Sequence, residues 1–156
     1  MTDMPFDLIV LGQEDAARLA LIHQQSFDRP WSQPMFEDVL IRPTTLGLAA
    51  GDVGIGFQAF VLVSIVPPDA EILTLATAPN AQRLGLALHL IKAACLHLGQ
   101  RGVETLFLEV AASNLPAQAL YQKLGFVQRG KRPRYYRKPD GRRDDALILV
   151  RAVTGL

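Results

Sequence analysis

The spacing of apolar residues changes period several times along this chain, and each change marks an element. Phe6, Leu8 and Val10 alternate with more polar neighbours, the period of a strand. Glu14 or Asp15 can lead the helix that follows, because Leu19, Ile22, His23 and Ser26-Phe27 then share one face. Pro30 disfavours helical geometry at Arg29, so that helix breaks across residues 27–32, and Ser32 can cap a short second helix over 33–41. Strands at 46–50 and 56–65, separated by Gly51, Asp52, Val53 and Gly54, predict an antiparallel hairpin. Pro67-Pro68-Asp69 turns the chain again into a third strand at 71–78.

From Gln82 onward, Leu84, Leu88, Ile91, Cys95 and Leu98 keep helical spacing, with Gly99 and Gly102 as the stop. Residues 105–111 then read as a strand. A helix of that length between strands 71–78 and 105–111 makes the two parallel neighbours with a right-handed crossover. Ligands of such sheets collect at the C-terminal ends of the strands. Asn114 to Lys123 reads as a short helix stopped by Gly125, and 126–127, 135–137 and 146–153 complete a mixed sheet.

Composition adds compartment and size. The 156 residues, 49% hydrophobic and 20% charged, predict one soluble domain over the whole chain. No apolar run reaches membrane-spanning length, and Met1-Thr2-Asp3-Met4-Pro5 lacks a basic segment leading into an apolar one, so neither export signal nor anchor is expected. The single cysteine, Cys95, excludes an internal disulfide and suits a small core side chain in a reducing cytoplasm. A net charge of +1 gives no overall field to draw in nucleic acid. The charge is uneven, however: eight of the sixteen Lys and Arg are Arg129, Lys131, Arg132, Arg134, Arg137, Lys138, Arg142 and Arg143, with Asp140 the one acid among them. A solvated hairpin and a contact for an anionic cofactor or partner both fit this run. His23, His89 and His97 have no metal-ligand spacing, so no metal is expected and they are given no role.

The candidate chemistry lies between Ala70 and Phe126. The turn Asn80-Ala81-Gln82-Arg83-Leu84-Gly85-Leu86-Ala87 opens the long helix, whose first backbone N–H groups can hold an anion. It is neither a Walker loop nor a dinucleotide fingerprint. Gly85 and Ala87 are small where a phosphate must approach, and Arg83 adds a cation. Tight helix–sheet packing explains the same glycine. Glu109 shares a sheet face with Phe107 and Ala111, where a carboxylate is costly unless wet or paired, so it is either an ion-paired surface group or a functional one. Tyr121 lies on the following helix, where an aromatic side chain is most often core.

Taken together these residues resemble the GNAT superfamily of acetyl-CoA-dependent N-acetyltransferases, whose Gln/Arg-x-x-Gly-x-Gly/Ala signature is matched by Gln82-Arg83-Leu84-Gly85-Leu86-Ala87. Within it the chain is similar to the RimI type, which acetylates the N-terminal alanine of a ribosomal protein. The matching stretches are Phe27…Pro30-Trp31-Ser32, Leu108-Glu109-Val110-Ala111-Ala112-Ser113-Asn114, Ala119-Leu120-Tyr121…Leu124-Gly125-Phe126, Tyr135-Tyr136 and Asp140-Gly141-Arg142. The resemblance implies an α/β GNAT fold, a mixed, mostly antiparallel sheet with a central parallel βαβ pair and helices on both faces. It implies that Leu75, Ala76 and Thr77 offer backbone groups to the pantetheine arm of acetyl-CoA, and that Arg83, Leu84, Gly85, Leu86, Ala87 and Leu88 cradle its pyrophosphate. Asn114 would bind near the pantetheine amides, Glu109 would be the general base acting through water, and Tyr121 would protonate the departing thiolate. Trp31, Tyr135 and Tyr136 would wall the acceptor groove. The chain departs from the RimI pattern by one extra residue between Tyr136 and Asp145-Ala146 and by its denser basic run.

The implied partner is a protein N-terminus, on a ribosomal protein. Deprotonating an α-amino group at pH 7 costs about 1 kcal/mol and a lysine about 4.6 kcal/mol, and one glutamate acting through water suits the cheaper amine. Desolvation can lower a lysine's pKa, which keeps a lysine or small-amine acceptor open. A non-catalytic coenzyme A-binding or ribosome-associated module is the reading that the basic run suggests from another class.

Overall fold

Seven strands join in the order β1-β2-β3-β4-β5-β7-β6 in the computed structural model, which describes residues 7–52, 56–82 and 85–155. The strands are β1 (Asp7–Val10), β2 (Thr45–Asp52), β3 (Gly56–Val66), β4 (Asp69–Thr77), β5 (Thr105–Ala111), β6 (Val127–Arg137) and β7 (Arg143–Ala152). The helices are α1 (Ala16–Ser26), α2 (Gln33–Leu40), α3 (Leu86–Gln100) and α4 (Leu115–Lys123). Phe6, Val53, Gly54, Arg83 and Leu84, which enter the readings above, lie outside the described residues.

Among the described residues only β4 and β5 run parallel, and every other pairing is antiparallel. Strand periodicity sends alternate residues to opposite faces, and both faces are covered. Leu48, Val61, Val63, Leu106 and Leu108 pack with Leu90, Ile91, Cys95 and Leu98 of α3 and with Tyr121 and Leu124 at α4. Ala49, Phe60, Leu62 and Ala76 face the other way, against Leu19 and Ile22 of α1 and Phe36 of α2. Cys95 is a buried core thiol. Among the described residues, no helix is long and apolar enough to cross a membrane.

Several boundaries differ from the sequence reading, β7 among them, which begins at Arg143 rather than Ala146. The long helix begins at Leu86 rather than Gln82, because Gly85 precedes it in the left-handed region (φ 80°) after a 3-10 turn at Pro79–Ala81. The first helix, Ala16–Ser26, is led by Asp15 at its N-cap, one of the two residues the reading offered, behind a 3-10 turn in which the Gly12 N–H donates to the Asp15 carboxylate at 2.9 Å. A further difference concerns β6, Val127–Arg137, which is continuous where two short segments were expected. It carries a bulge: Arg132 pairs with Ala146 and Tyr136 with Asp144, so four steps on β6 match two on β7. Arg134 in the bulge has φ 55°, and its N–H donates to Asp145 Oδ1 at 2.9 Å, which holds the turn.

Candidate active site

The parallel pair comes apart soon after it forms. Its ladder runs from Asp69↔Thr105 to Glu71↔Phe107 and then stops, while β4 stays on β3 through Ala59↔Thr77 and β5 stays on β7 through Ala111↔Ala146. A gap therefore opens between the C-terminal halves of β4 and β5. Alternate residues of a strand turn their N–H and C=O to opposite edges, and the Ala78 N–H donates to Gln58 O beside β3 at 2.7 Å. By that alternation Leu75 and Thr77 turn their backbone groups to the gap and Ala76 turns its own to β3. Of the three residues expected to meet a donor arm, two present the groups for it. The Thr77 carbonyl already accepts from Ser26 Oγ at the end of α1, at 3.2 Å.

The start of α3 faces the same end of the gap. Leu86, Ala87 and Leu88 have N–H groups with no intrahelical acceptor, since the first helical bond runs from the His89 N–H to Gly85 O at 3.0 Å. A Cβ built on Gly85 would meet no atom within 4 Å, so the space over this turn is open. An oxyanion can approach these donors from solvent, and the residues present fit a pyrophosphate there. Gly85→Ala is expected to cost about 1 kcal/mol through the left-handed backbone alone, lowering Tm by about 3 °C. Its Kd for coenzyme A, read by calorimetry, should weaken more than tenfold; an unchanged Kd would remove the turn from the ligand site.

Glu109 points away from α3 and α4. Its side chain is 15% exposed, and Oε1 lies 3.0 Å from Arg132 Nε in an ion pair, so the paired alternative is what the resting structure shows. Arg132 is 54% exposed and its guanidinium also lies 5.3 Å from the centre of the Tyr135 ring. Such a partner adds little stability and can be exchanged for water. Glu71, on the same face of the neighbouring strand, has its carboxyl raised above the usual range by burial and then by Glu109, with Arg132 opposing. Tyr136 is pushed up to about 12 by burial, then by Glu109, Tyr135 and Glu71. Tyr135 stands half exposed, with its ring edge-on to Tyr136.

Tyr121 reaches the region from the opposite face of β5. It is buried, packs edge-to-face on Phe126 at 5.6 Å, and holds its phenolic proton more tightly than usual because of burial and, to a lesser degree, Tyr136. Asn114 caps α4, its Oδ1 accepting from the Ala117 N–H at 3.2 Å, which leaves the amide NH2 as the part able to meet a ligand. The turn before it is pinned to β7: Ser113 donates to Asp144 Oδ2 through both N–H and Oγ–H, which holds that carboxyl below the usual range.

Trp31 lies on the α1–α2 connection, where its ring meets Phe36 at 5.2 Å and His23 at 5.6 Å. The expected groove walls therefore come from two sides, and among the described residues no ring contact joins Trp31 to Tyr135 or Tyr136. The sequence reading gave His23 no role, yet it is buried and hydrogen-bonded at both nitrogens: the Trp31 N–H donates to Nδ1 at 2.9 Å, and Nε2 lies 2.9 Å from Thr74 Oγ1. Since Nδ1 accepts, Nε2 carries the proton and donates to Thr74. Burial lowers its pKa from 6.5 to about 4. Between those values the unfolded chain binds a proton that the folded chain does not, so stability is full above 6.5 and falls as pH drops toward 4. Urea midpoints at pH 7.5 and 4.5 should differ by less in His23→Phe than in the wild type; an equal difference would place the acid sensitivity elsewhere.

Glu109 on one face of β5, the buried phenol of Tyr121 on the other and the backbone donors along the gap are groups of the kinds that proton removal from an attacking amine and proton return to a leaving thiolate require. That chemistry belongs to the acyl-group transferases. Residues 16–126 match the model of the acetyltransferase (GNAT) family, and the chain belongs to that family. It is 35% identical over 137 residues, 83% of this chain and 85% of the relative, to ribosomal protein bS18-alanine N-acetyltransferase of Escherichia coli K12. To N-alpha-acetyltransferase RimI of Mycobacterium tuberculosis it is 32% identical over 138 residues, 85% of each chain. The crystal structure of the Escherichia coli ribosomal-protein-S18-alanine N-acetyltransferase superposes with a TM-score of 0.87 at 32% identity, covering 97% of this chain and 96% of that one. Arabidopsis thaliana NAA60, at 22% identity and a TM-score of 0.84, shares the fold.

Proposed function

We propose that this protein acetylates the N-terminal α-amino group of a ribosomal protein, an alanine on a bS18-like chain, with acetyl-CoA as donor. The observation that carries this is the 35% identity over 137 residues to the bS18-alanine enzyme, which spans most of both chains. The whole chain acts as one domain, in the cytoplasm where ribosomal proteins are made, and no metal takes part.

In this reading the N–H groups of Leu86, Ala87 and Leu88 with Gly85, together with Arg83 and Leu84 before them in the sequence, hold the pyrophosphate of the donor. The gap-facing backbone groups of Leu75 and Thr77, with the Asn114 amide, hold the pantetheine arm in the gap. Glu109, released by Arg132, accepts the ammonium proton through water. The neutral amine attacks the thioester carbonyl, the N–C bond forms and the C–S bond breaks. Tyr121 gives its proton to the departing sulfur and recovers one from solvent. Trp31, Tyr135 and Tyr136 wall the groove in which the acceptor lies. Transfer is direct, with no acyl-enzyme.

Mass spectrometry of ribosomal proteins from cells with and without this chain tests the assignment. One N-terminal alanine should lose its acetyl group when the chain is absent. Unchanged N-termini would remove the acceptor while leaving the family intact, and a panel of free, blocked and lysine-only peptides then decides which amine is used.

A further inference from the structure

The histidine between α1 and β4 has a place in this chemistry that the acid–base scheme does not use. Its ring touches two segments that the reaction must keep in register. One is the connection 27–32, which carries Trp31. Among the described residues, the Trp31 N–H bond to His23 Nδ1 is the hydrogen bond that ties residues 28–31 back to the rest of the chain. The other is β4, where Thr74 Oγ1 takes the Nε2–H one residue before Leu75, whose backbone faces the gap. Three residues further on, Ser26 of the same helix turn reaches the Thr77 carbonyl. The last turn of α1 thus brackets the strand segment Leu75–Ala76 at both ends.

The ring is also caged. Phe27 stacks on it at 4.1 Å, Phe36 meets it edge-on at 5.4 Å, and Phe60 lies at 6.3 Å. A phenyl ring would fill this cage as well as an imidazole does. What the imidazole adds, and a phenyl ring lacks, is an acceptor on one side and a donor on the other, about the width of one ring apart.

We propose that His23 is a positioning residue for acceptor binding, fixing the Trp31 wall of the acceptor groove to the strand that lines the donor gap. The proposal rests on the reading of Trp31 as a groove wall. Through this ring, the distance from the acceptor wall to the thioester is set by two hydrogen bonds rather than by the packing of the connection itself. The role belongs to acceptor geometry and leaves the proton transfers to other groups.

Three substitutions and the chain's single tryptophan provide the test. His23→Phe keeps the cage and removes both hydrogen bonds. Its KM for an alanine-led peptide should rise at least tenfold, with kcat within threefold and the calorimetric Kd for acetyl-CoA within twofold of wild type. The emission of Trp31 in the free enzyme should move to longer wavelength as the half-buried indole loses its tether. His23→Asn offers an oxygen near the position of Nδ1 for the Trp31 N–H. It packs worse than Phe, yet should bring the peptide KM back to within threefold of wild type. Thr74→Val, nearly isosteric, should raise that KM about threefold with a smaller shift in emission, and it decides the matter if the histidine variants do not fold. A purely structural role would rank the variants by packing, with Phe above Asn. That ranking, or a Trp31 emission in His23→Phe and Thr74→Val identical to wild type, would overturn the proposal. If the wild type acetylates lysine peptides alone, the α-amine assignment falls, and the same KM comparison on the lysine amine still decides the role of His23.

Discussion

Glu109→Gln should lower kcat at pH 7 by about 100-fold, the low end of what a positioned proton acceptor contributes. The amide keeps an oxygen for Arg132 and nearly the same volume, so neither fold nor donor affinity is expected to change. What it loses is the capacity to take the ammonium proton. That loss matters most where the amine is charged, so the deficit should shrink as pH rises past the α-amino pKa of about 7.8. A rate profile from pH 6 to 9.5 reads this directly. A deficit that stays constant across that range would mean that Glu109 acts by charge or packing and that another group takes the proton. Glu71 is the neighbouring carboxylate to examine then, since its raised pKa and shared face place it near the same charge.

Tyr121→Phe is expected to reduce kcat by a similar factor, about 100-fold, with acetyl-CoA affinity within twofold. The phenyl ring preserves the edge-to-face packing on Phe126, and burial already keeps the native phenol protonated at working pH, so the substitution removes one proton donor from an otherwise intact core. The effect should depend on the leaving group. A thioester of a more acidic thiol needs less help to depart, and on such a donor the variant should recover much of its rate. Equal losses on both donors would show that the hydroxyl serves ground-state binding.

The parts of this site that are legible in the sequence are those fixed by local physics. Ser32 can be read as a helix cap and is one, and the strand, helix, strand run from β4 to β5 follows from a change of period. The start of α3 is less legible, because leucine spacing continues across Gly85 while the backbone turns left-handed there. Arg132, Glu71 and His23 are hidden for a different reason. Each meets its partner across the sheet or between layers, and for Arg132 the pairing depends on the order β5-β7-β6 and on a bulge in β6, neither of which is written in strand periodicity. Glu71 shows the gap most plainly: its alternation with Ala70 and Ile72 is visible in the sequence, but only the register Glu71↔Phe107 shows that it lies diagonally beside Glu109.

The bulged strand β6 bears on a hazard unrelated to catalysis. It is the last strand of the sheet, eleven residues long and mostly exposed, a length of unpaired backbone that invites another chain to pair with it. The basic run supplies the defence. Arg129, Lys131, Arg132, Arg134 and Arg137 line this edge, Pro133 removes a backbone donor at its middle, and the bulge bends the ladder beside it. Two such edges brought together would set like charges against each other on a broken register. The same stretch that aims Arg132 at the carboxylate therefore keeps copies of the protein from joining edge to edge, and neutralising these side chains would expose the protein to aggregation before it touched the chemistry.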